Sequence, residues 1–334
     1  MDSIHKSVRK FFVERKPSNV SLLIACSGGP DSVALVRILK ELSSEFPLRF
    51  HIGHVNHELR GKDSDGDAVF VKKLAADVDW PCHISIKSMK SLKKGNLEEE
   101  TRVERYDALF QMAAQTKSAA ILTAHTLDDH AETILMNLLR GTGPDGLAGI
   151  HAAREWKNSG VQLWRPFLEV SKQDVLTYLK SHRIRFRKDK SNQDQKFFRN
   201  WLRRTIVPRL ESRAPGFQKR LFNLSLLMRD ELDFWEGNLN EIEKEILKPA
   251  SPGHFLDFHR LLRYPSAVQR RFLRRVVGRD LLTFEGVENL RQWMMSPPTA
   301  GRFWQMRKGW VAERLSKSKG SPSAKIFWFK ANSK

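Results

Sequence analysis

The chain has 334 residues, 40% of them hydrophobic and 29% charged, with a formal net charge of +20. That balance excludes disordered and fibrous classes and leaves length for about two domains, each with its own core. No apolar run approaches the ~18–20 residues of a membrane helix, and two cysteines without a CxxC pair supply no disulfide framework, so a protein of the reducing cytoplasm is expected, with no membrane association.

The opening "MDSIHKSVRKFFVERK" has no apolar signal core and reads as a basic surface helix. "SLLIAC" then reads as a buried strand, "DSVALVRILKEL" as a helix and "LRFHIGHVN" as a strand. "DGDAVFVKKLAADV" is a helix, "CHISIK" a strand and "NLEEETRVERYDALFQMAAQT" a long helix. "AAILTAH" is a strand and "DDHAETILMNLLR" a helix. Strands alternating with helices of this length predict an α/β fold with a doubly wound parallel sheet, whose ligands sit at the carboxyl ends of the strands.

A Gly-rich segment, "RGTGPDGLAGIHAAREWKNSG", breaks the rhythm and reads as a long functional loop. "VQLWRPFLEV" is a late strand, and Ser171 is placed to cap the helix "KQDVLTYLKSH". From about residue 196 to 248 the pattern is helical, interrupted by Pro208 and "APG". The domain boundary is placed at 210: residues 1–210 form the α/β domain, and residues 211–334 a mainly α-helical, basic domain. Within the latter, "ILKPASPGH" reads as a loop and 257–296 as helical. "RFWQMRKGWVAERL" and "AKIFWFK" read as short strands, with "SKSKGSPSA" between them as a flexible basic linker.

The charge is unevenly placed. Residues 1–164 carry a net +1, residues 165–229 a net +12, residues 230–253 a net −5 and residues 254–334 a net +12. A polyanionic partner explains such asymmetry, because each neutralised phosphate releases counterions. Trp and Phe interleaved with Arg suit stacking against bases, and they suit helical cores equally well.

The most informative stretch is Ser27-Gly28-Gly29-Pro30-Asp31-Ser32, between the first strand and its helix. Glycines at a helix N-terminus bare backbone N–H groups to an anion, and Pro30 suits the first helical turn. Ser27 and Ser32 add hydroxyls. No GxxxxGK[ST] lysine is present. Asp31 stands at the mouth instead. A carboxylate beside phosphates is repelled unless a divalent cation bridges them, which points to Mg²⁺ held by Asp31.

"SGGPDS" resembles the SGGxDS signature of the PP-loop ATP pyrophosphatase family. The resemblance implies that Ser27 to Ser32 bind ATP by its β- and γ-phosphates and leave the α-phosphorus open to attack, so the chemistry is adenylation. Further segments resemble the tRNA(Ile)-lysidine synthetase family: "HVNHELR", "NLEEETRVERY", "AHTLDDHAETILMNLLRGTGPDGLAGI", "RPF" and "DKSNQDQKFFRNWLRRTIVPRL". They fall in order across roughly residues 20–210. Glu58 and Thr101 depart from the family pattern, which usually has Gly and Ala there. That family adenylates the wobble cytidine of an isoleucine tRNA with a CAU anticodon, and free L-lysine then displaces AMP. No stable protein partner is implied.

Asp129 and Glu132, three apart on one helix face, can hold an ammonium group or Mg²⁺, or simply suit the helix dipole. The resemblance favours recognition of lysine. Asp31, His125, Arg102 and Arg105 are expected to be catalytic: His125, at the carboxyl end of its strand, can donate to the α-phosphate as charge develops, and the arginines, three apart on a long helix, can turn to phosphate or base. Glu98 paired with Arg102 explains one arginine more simply. In the basic run 183–209, Arg199, Arg203, Arg204, Asn192 and Asn200 are expected to touch tRNA. Zinc held by His54, His57, His125 and His130 lacks a motif. A tRNA thiolase on the same fold would need a reactive cysteine, and a non-catalytic RNA-binding protein would not need an intact loop.

Overall fold

A computed structural model describes residues 3–56, 62–86, 97–156, 159–187, 198–250, 253–278, 283–296, 303–305, 310–315 and 325–330. The chain divides into two compact units, Met1–Arg229 and Asp230–Lys334.

The first unit carries helices α1 (Ser3–Arg15), α2 (Pro30–Leu42), α3 (Lys62–Val78), α4 (Leu97–Gln115), α5 (Leu127–Leu139), α6 (Pro144–Leu147) and α7 (Lys172–Ser181). Its strands are β1 (Ser21–Ala25), β2 (Arg49–Asn56), β3 (Cys82–Ile86), β4 (Ser118–Leu122), β5 (Ala153–Glu155) and β6 (Gln162–Trp164). They form one sheet in the order β3-β2-β1-β4-β6-β5. All pairings are parallel except β5 with β6, an antiparallel edge built from the Gly-rich segment expected to be a loop.

Both faces of the central strands are covered, so β1 and β4 are almost wholly apolar. Leu22 and Ile24 of β1 enter the core beneath α1, α2, α3 and α7, while Leu23 enters the core beneath α4. In β4, Ala120 and Leu122 face one core and Ile121 the other. That is the period of two that a strand imposes. These leucines and isoleucines have no solvent exposure, each worth about 1.5–3 kcal/mol of burial. The strand order reverses between β1 and β4, the switch point where such sheets bind ligands.

After α7 the described chain resumes as α8 (Phe198–Trp201), a π-helical turn (Leu202–Ile206) and α9 (Val207–Arg213). Pro208 has no N–H and its ring crowds the carbonyl four residues back, so the helix widens rather than ends. The Val207 N–H accordingly bonds the Leu202 carbonyl, five residues back.

The sequence places the domain boundary at 210; the compact units part between 229 and 230, inside α10 (Phe217–Ile246). The first turns of α10 belong to the first unit for a physical reason. Phe222 packs with Leu127 and Leu168, Ser225 bonds His130 at 3.0 Å, and Arg229 donates to the carbonyls of Ala148 and Ile150.

The second unit is mainly helical, as the sequence predicts, and adds a sheet. Besides the rest of α10 it holds α11 (Phe258–Leu261), α12 (Ser266–Val277) and α13 (Phe284–Met295). Five antiparallel strands, β7 (Leu247–Ala250), β8 (Gly253–Asp257), β9 (Phe303–Gln305), β10 (Trp310–Leu315) and β11 (Lys325–Lys330), form a sheet in the order β7-β8-β11-β10-β9. The supposed loop "ILKPASPGH" supplies the β7–β8 hairpin, whereas the strands expected near the C-terminus are present. The linker "SKSKGSPSA" lies outside the described residues. Part of this unit's basic charge is spent internally. Arg275 pairs with Glu243 at 2.9 Å, Arg270 with Glu288, and Arg271 lies over the Trp235 ring at 5.1 Å.

Candidate active site

The loop after β1 is built by its own small side chains. Gly28 adopts φ +82°, the left-handed region that only glycine enters freely. Ser32 Oγ donates to the Gly29 carbonyl at 3.0 Å and accepts from the Ser27 N–H at 3.2 Å. Pro30 opens α2. Asp31, in that first turn, is bonded through Oδ2 to the Lys172 ammonium, while its Oδ1 is buried with no partner. Burial raises the Asp31 carboxyl above its usual range, and Lys172 opposes the shift.

Lys172 escaped the sequence reading. It arrives from the first turn of α7, held there by the Ser171 cap and by its own N–H, which donates to Asp128 at 2.7 Å. One signal was available: a cation in the first turn opposes the helix dipole, so something else must want it there.

At the end of β4, Thr126 caps α5 in a reciprocal capping box with Asp129. That box aims the other Asp129 oxygen, Oδ1, at Arg199 Nη2 (3.1 Å) and Arg203 Nη2 (3.0 Å). Glu132, 1% exposed, accepts from Arg199 Nε at 2.9 Å and from Arg203 Nε at 2.6 Å. Two carboxylates and two guanidiniums thus form one partly buried cluster. Burial alone would raise the Asp129 carboxyl, but the surrounding charges and the Thr126 N–H outweigh it and hold it below its usual range. The sequence assigned the arginines and the carboxylates to different ligands, and the structure joins them.

His125 Nδ1 lies 2.9 Å from Thr123 Oγ1. Burial lowers its pKa; the Asp129 charge opposes that shift, and the charges of Arg165 and Arg102 add to it. Arg102 and Arg105 both stand over the buried Tyr106 ring, at 5.3 and 5.7 Å, but Arg105 is exposed. Arg165, from the "RPF" segment, is 6% exposed and donates to the His151 carbonyl at 2.6 Å. Arg204 is exposed on the π-helical turn, Asn200 is half-buried on α8, and Asn192 lies outside the described residues.

His130 is structural. The Ile150 N–H donates to its Nδ1 at 3.2 Å, so its Nε2–H donates to Ser225. Gly149 must be glycine here, with φ +60° and a would-be Cβ 2.6 Å from His130 Cε1. His54 Nδ1 bonds the Cys26 carbonyl at 2.8 Å, while its Nε2 is buried with no partner. Among the described residues no group of three or more His, Cys, Asp or Glu side chains is placed to hold a metal. The orphaned Asp31 Oδ1 does fit Mg²⁺, which takes one or two carboxylates and fills its other positions with phosphate and water.

The sheet order and the glycine-rich anion loop at its switch point define a nucleotide-binding α/β domain, and the family model for the PP-loop domain matches residues 1–210. The chain is 32% identical over 315 residues to the tRNA(Ile)-lysidine synthase of Geobacter sulfurreducens, covering 90% of this chain and 65% of that protein. It is 32% identical to that of Thermosynechococcus vestitus (83% and 79% covered) and 29% identical to that of a Nostoc species (93% and 95%). A U34-tRNA thiolase from Methanococcus maripaludis shares the fold, with a TM-score of 0.59 and 20% identity over 68% of this chain and 78% of that one. The chain therefore belongs to the tRNA(Ile)-lysidine synthase family of PP-loop proteins. It spans less than two thirds of the length of several curated relatives.

Proposed function

We propose that the chain ligates lysine to C2 of the wobble cytidine of a CAU-anticodon isoleucine tRNA, at the expense of ATP. The observation that carries this reading is the convergence of the phosphate loop and the Asp129–Glu132 pair at one switch point. The charges of Asp129 and Arg203 both reach Asp31. An anion site and a cation site side by side suit a reaction that joins a nucleotide to an amine.

The Ser27–Ser32 loop holds the β- and γ-phosphates, with Lys172 supplying the cation that the loop lacks. Mg²⁺, when bound at Asp31, neutralises phosphate charge. The cytidine O2 attacks the α-phosphorus, an O–P bond forms, and the bond to pyrophosphate breaks. Arg102 and His125 face the charge that develops there. The ε-amine of lysine, drawn by Asp129 and Glu132, then attacks C2. The C–O bond breaks, AMP leaves, and the amine loses a proton. Arg199 and Arg203 pair with both carboxylates and share the approach of RNA phosphate with Arg204, Asn200 and Asn192. The basic second unit holds the rest of the tRNA. A tRNA substrate and unpaired cysteines fit the cytoplasm, and the reading needs no stable protein partner.

The thiolase reading loses support from the cysteines. Burial pushes the Cys26 thiol up to about 11 and raises Cys82 as well, so neither is a ready thiolate. ATP–pyrophosphate exchange tests the proposal. Exchange that requires the CAU tRNA without lysine supports adenylation of the base. Exchange that requires lysine without tRNA would mean amino-acid activation instead.

A further inference from the structure

Phe198 and Trp201 lie three residues apart on α8, with ring centroids 5.6 Å apart and planes inclined by 26°. Both are exposed, 42% and 37% respectively. Leaving two large stacked rings in water contributes nothing to the core. The same helical segment turns Arg199 and Arg203 toward Asp129 and Glu132, and Leu202 of that segment is fully buried. The surrounding stretch 165–229 is the most basic part of this unit, at a net +12.

We propose that Phe198 and Trp201 form a stacking platform for an unpaired base of the RNA, a neighbour of the reacting cytidine rather than that cytidine itself. The inference rests on reading the chain as a tRNA-modifying enzyme. Unpaired bases are held on exposed aromatic faces within basic surroundings, because every base has a π face and its backbone is anionic. A helix with its side chains is about 10–12 Å across. A base on the pair therefore sits about one helix width from the carboxylate cluster, a span that adjacent nucleotides of one loop cover. Reaching the reacting position means leaving the stack, and capture of a neighbouring base offsets that cost.

The test uses the full chain and the CAU-bearing isoleucine tRNA. Trp201→Leu keeps an apolar side chain and removes the ring; Trp201→Phe keeps a ring. Trp201→Leu and Phe198→Leu should each weaken tRNA binding about tenfold or more, with ATP affinity and melting temperature unchanged. The loss should persist at every salt concentration with an unaltered salt slope, because no phosphate contact is removed. Trp201→Phe should retain most of the affinity. Equal affinity of Trp201→Leu and the unaltered chain would overturn the platform alone. Failure of the unaltered chain to bind tRNA would overturn the RNA reading, and the platform with it. A loss that Trp201→Phe shares in full would show that the ring face is not what binds.

Discussion

Lys172 grips Asp31 across 141 residues of sequence, from the first turn of one helix to the first turn of another. A P-loop carries its phosphate-binding lysine within the loop; here the fold brings one from α7. Lys172→Met should therefore weaken ATP binding by about 1.5–3 kcal/mol, roughly ten- to a hundredfold, and Lys172→Arg should recover much of it. Calorimetry with ATP and Mg²⁺, without tRNA or lysine, measures this directly. Unchanged ATP affinity with a lowered melting temperature would make Lys172 a structural tie only.

The Asp129–Glu132–Arg199–Arg203 cluster makes two demands. Asp129→Asn and Glu132→Gln should raise the KM for lysine while the adenylated tRNA still forms and accumulates. Lost adenylation with an unchanged lysine KM would assign the carboxylates to ATP or metal.

Removing one partner should also cost stability, because Glu132 is 1% exposed. Arg203→Met leaves Glu132 with Arg199 as its remaining partner, at about 1–3 kcal/mol. The double variant Arg203→Met/Glu132→Gln should recover part of that loss in denaturant melts. If the two losses simply add, the ion pair does not carry the stability.

Acid should weaken the first unit through His130. Burial lowers its pKa to about 4, from an ordinary 6.5. The unfolded chain then takes up a proton that the folded chain refuses, so this contribution is complete above pH 6.5 and is lost as pH falls toward 4. The shift corresponds to about 3 kcal/mol. His130→Gln should lower stability near neutral pH and flatten its decline between pH 6.5 and 4. An unchanged slope would place the acid sensitivity elsewhere.

The position of the boundary has a practical consequence. A chain ending at 210 lacks Phe222, Ser225 and Arg229, which pack on or bond to the first unit. A chain ending at 229 keeps them and should melt at a higher temperature. Equal melting temperatures would favour the boundary at 210.

The parallel sheet was legible because β1 and β4 are local apolar runs and its strands alternate with helices, and the loop because glycine, proline and serine act on their own backbone. The β7–β8 hairpin was not. Pro249 argues against a strand, but β7 is an edge strand, where proline is tolerated. The site was legible by residue type and not by partner. Arg199 and Arg203 read as a basic run because the carboxylates they meet lie 67 to 74 residues away. Lys172 carried only its misfit with the helix dipole, a weak local mark of a distant contact.

The most direct test of lysidine formation is incubation of the chain with ATP, Mg²⁺ and labelled lysine, using the isoleucine and methionine tRNAs that share the CAU anticodon. Label should enter the isoleucine tRNA alone, with AMP and pyrophosphate released in step with it. ATP cleavage to ADP and phosphate, or no lysine-dependent label in either tRNA, would contradict the proposed reaction.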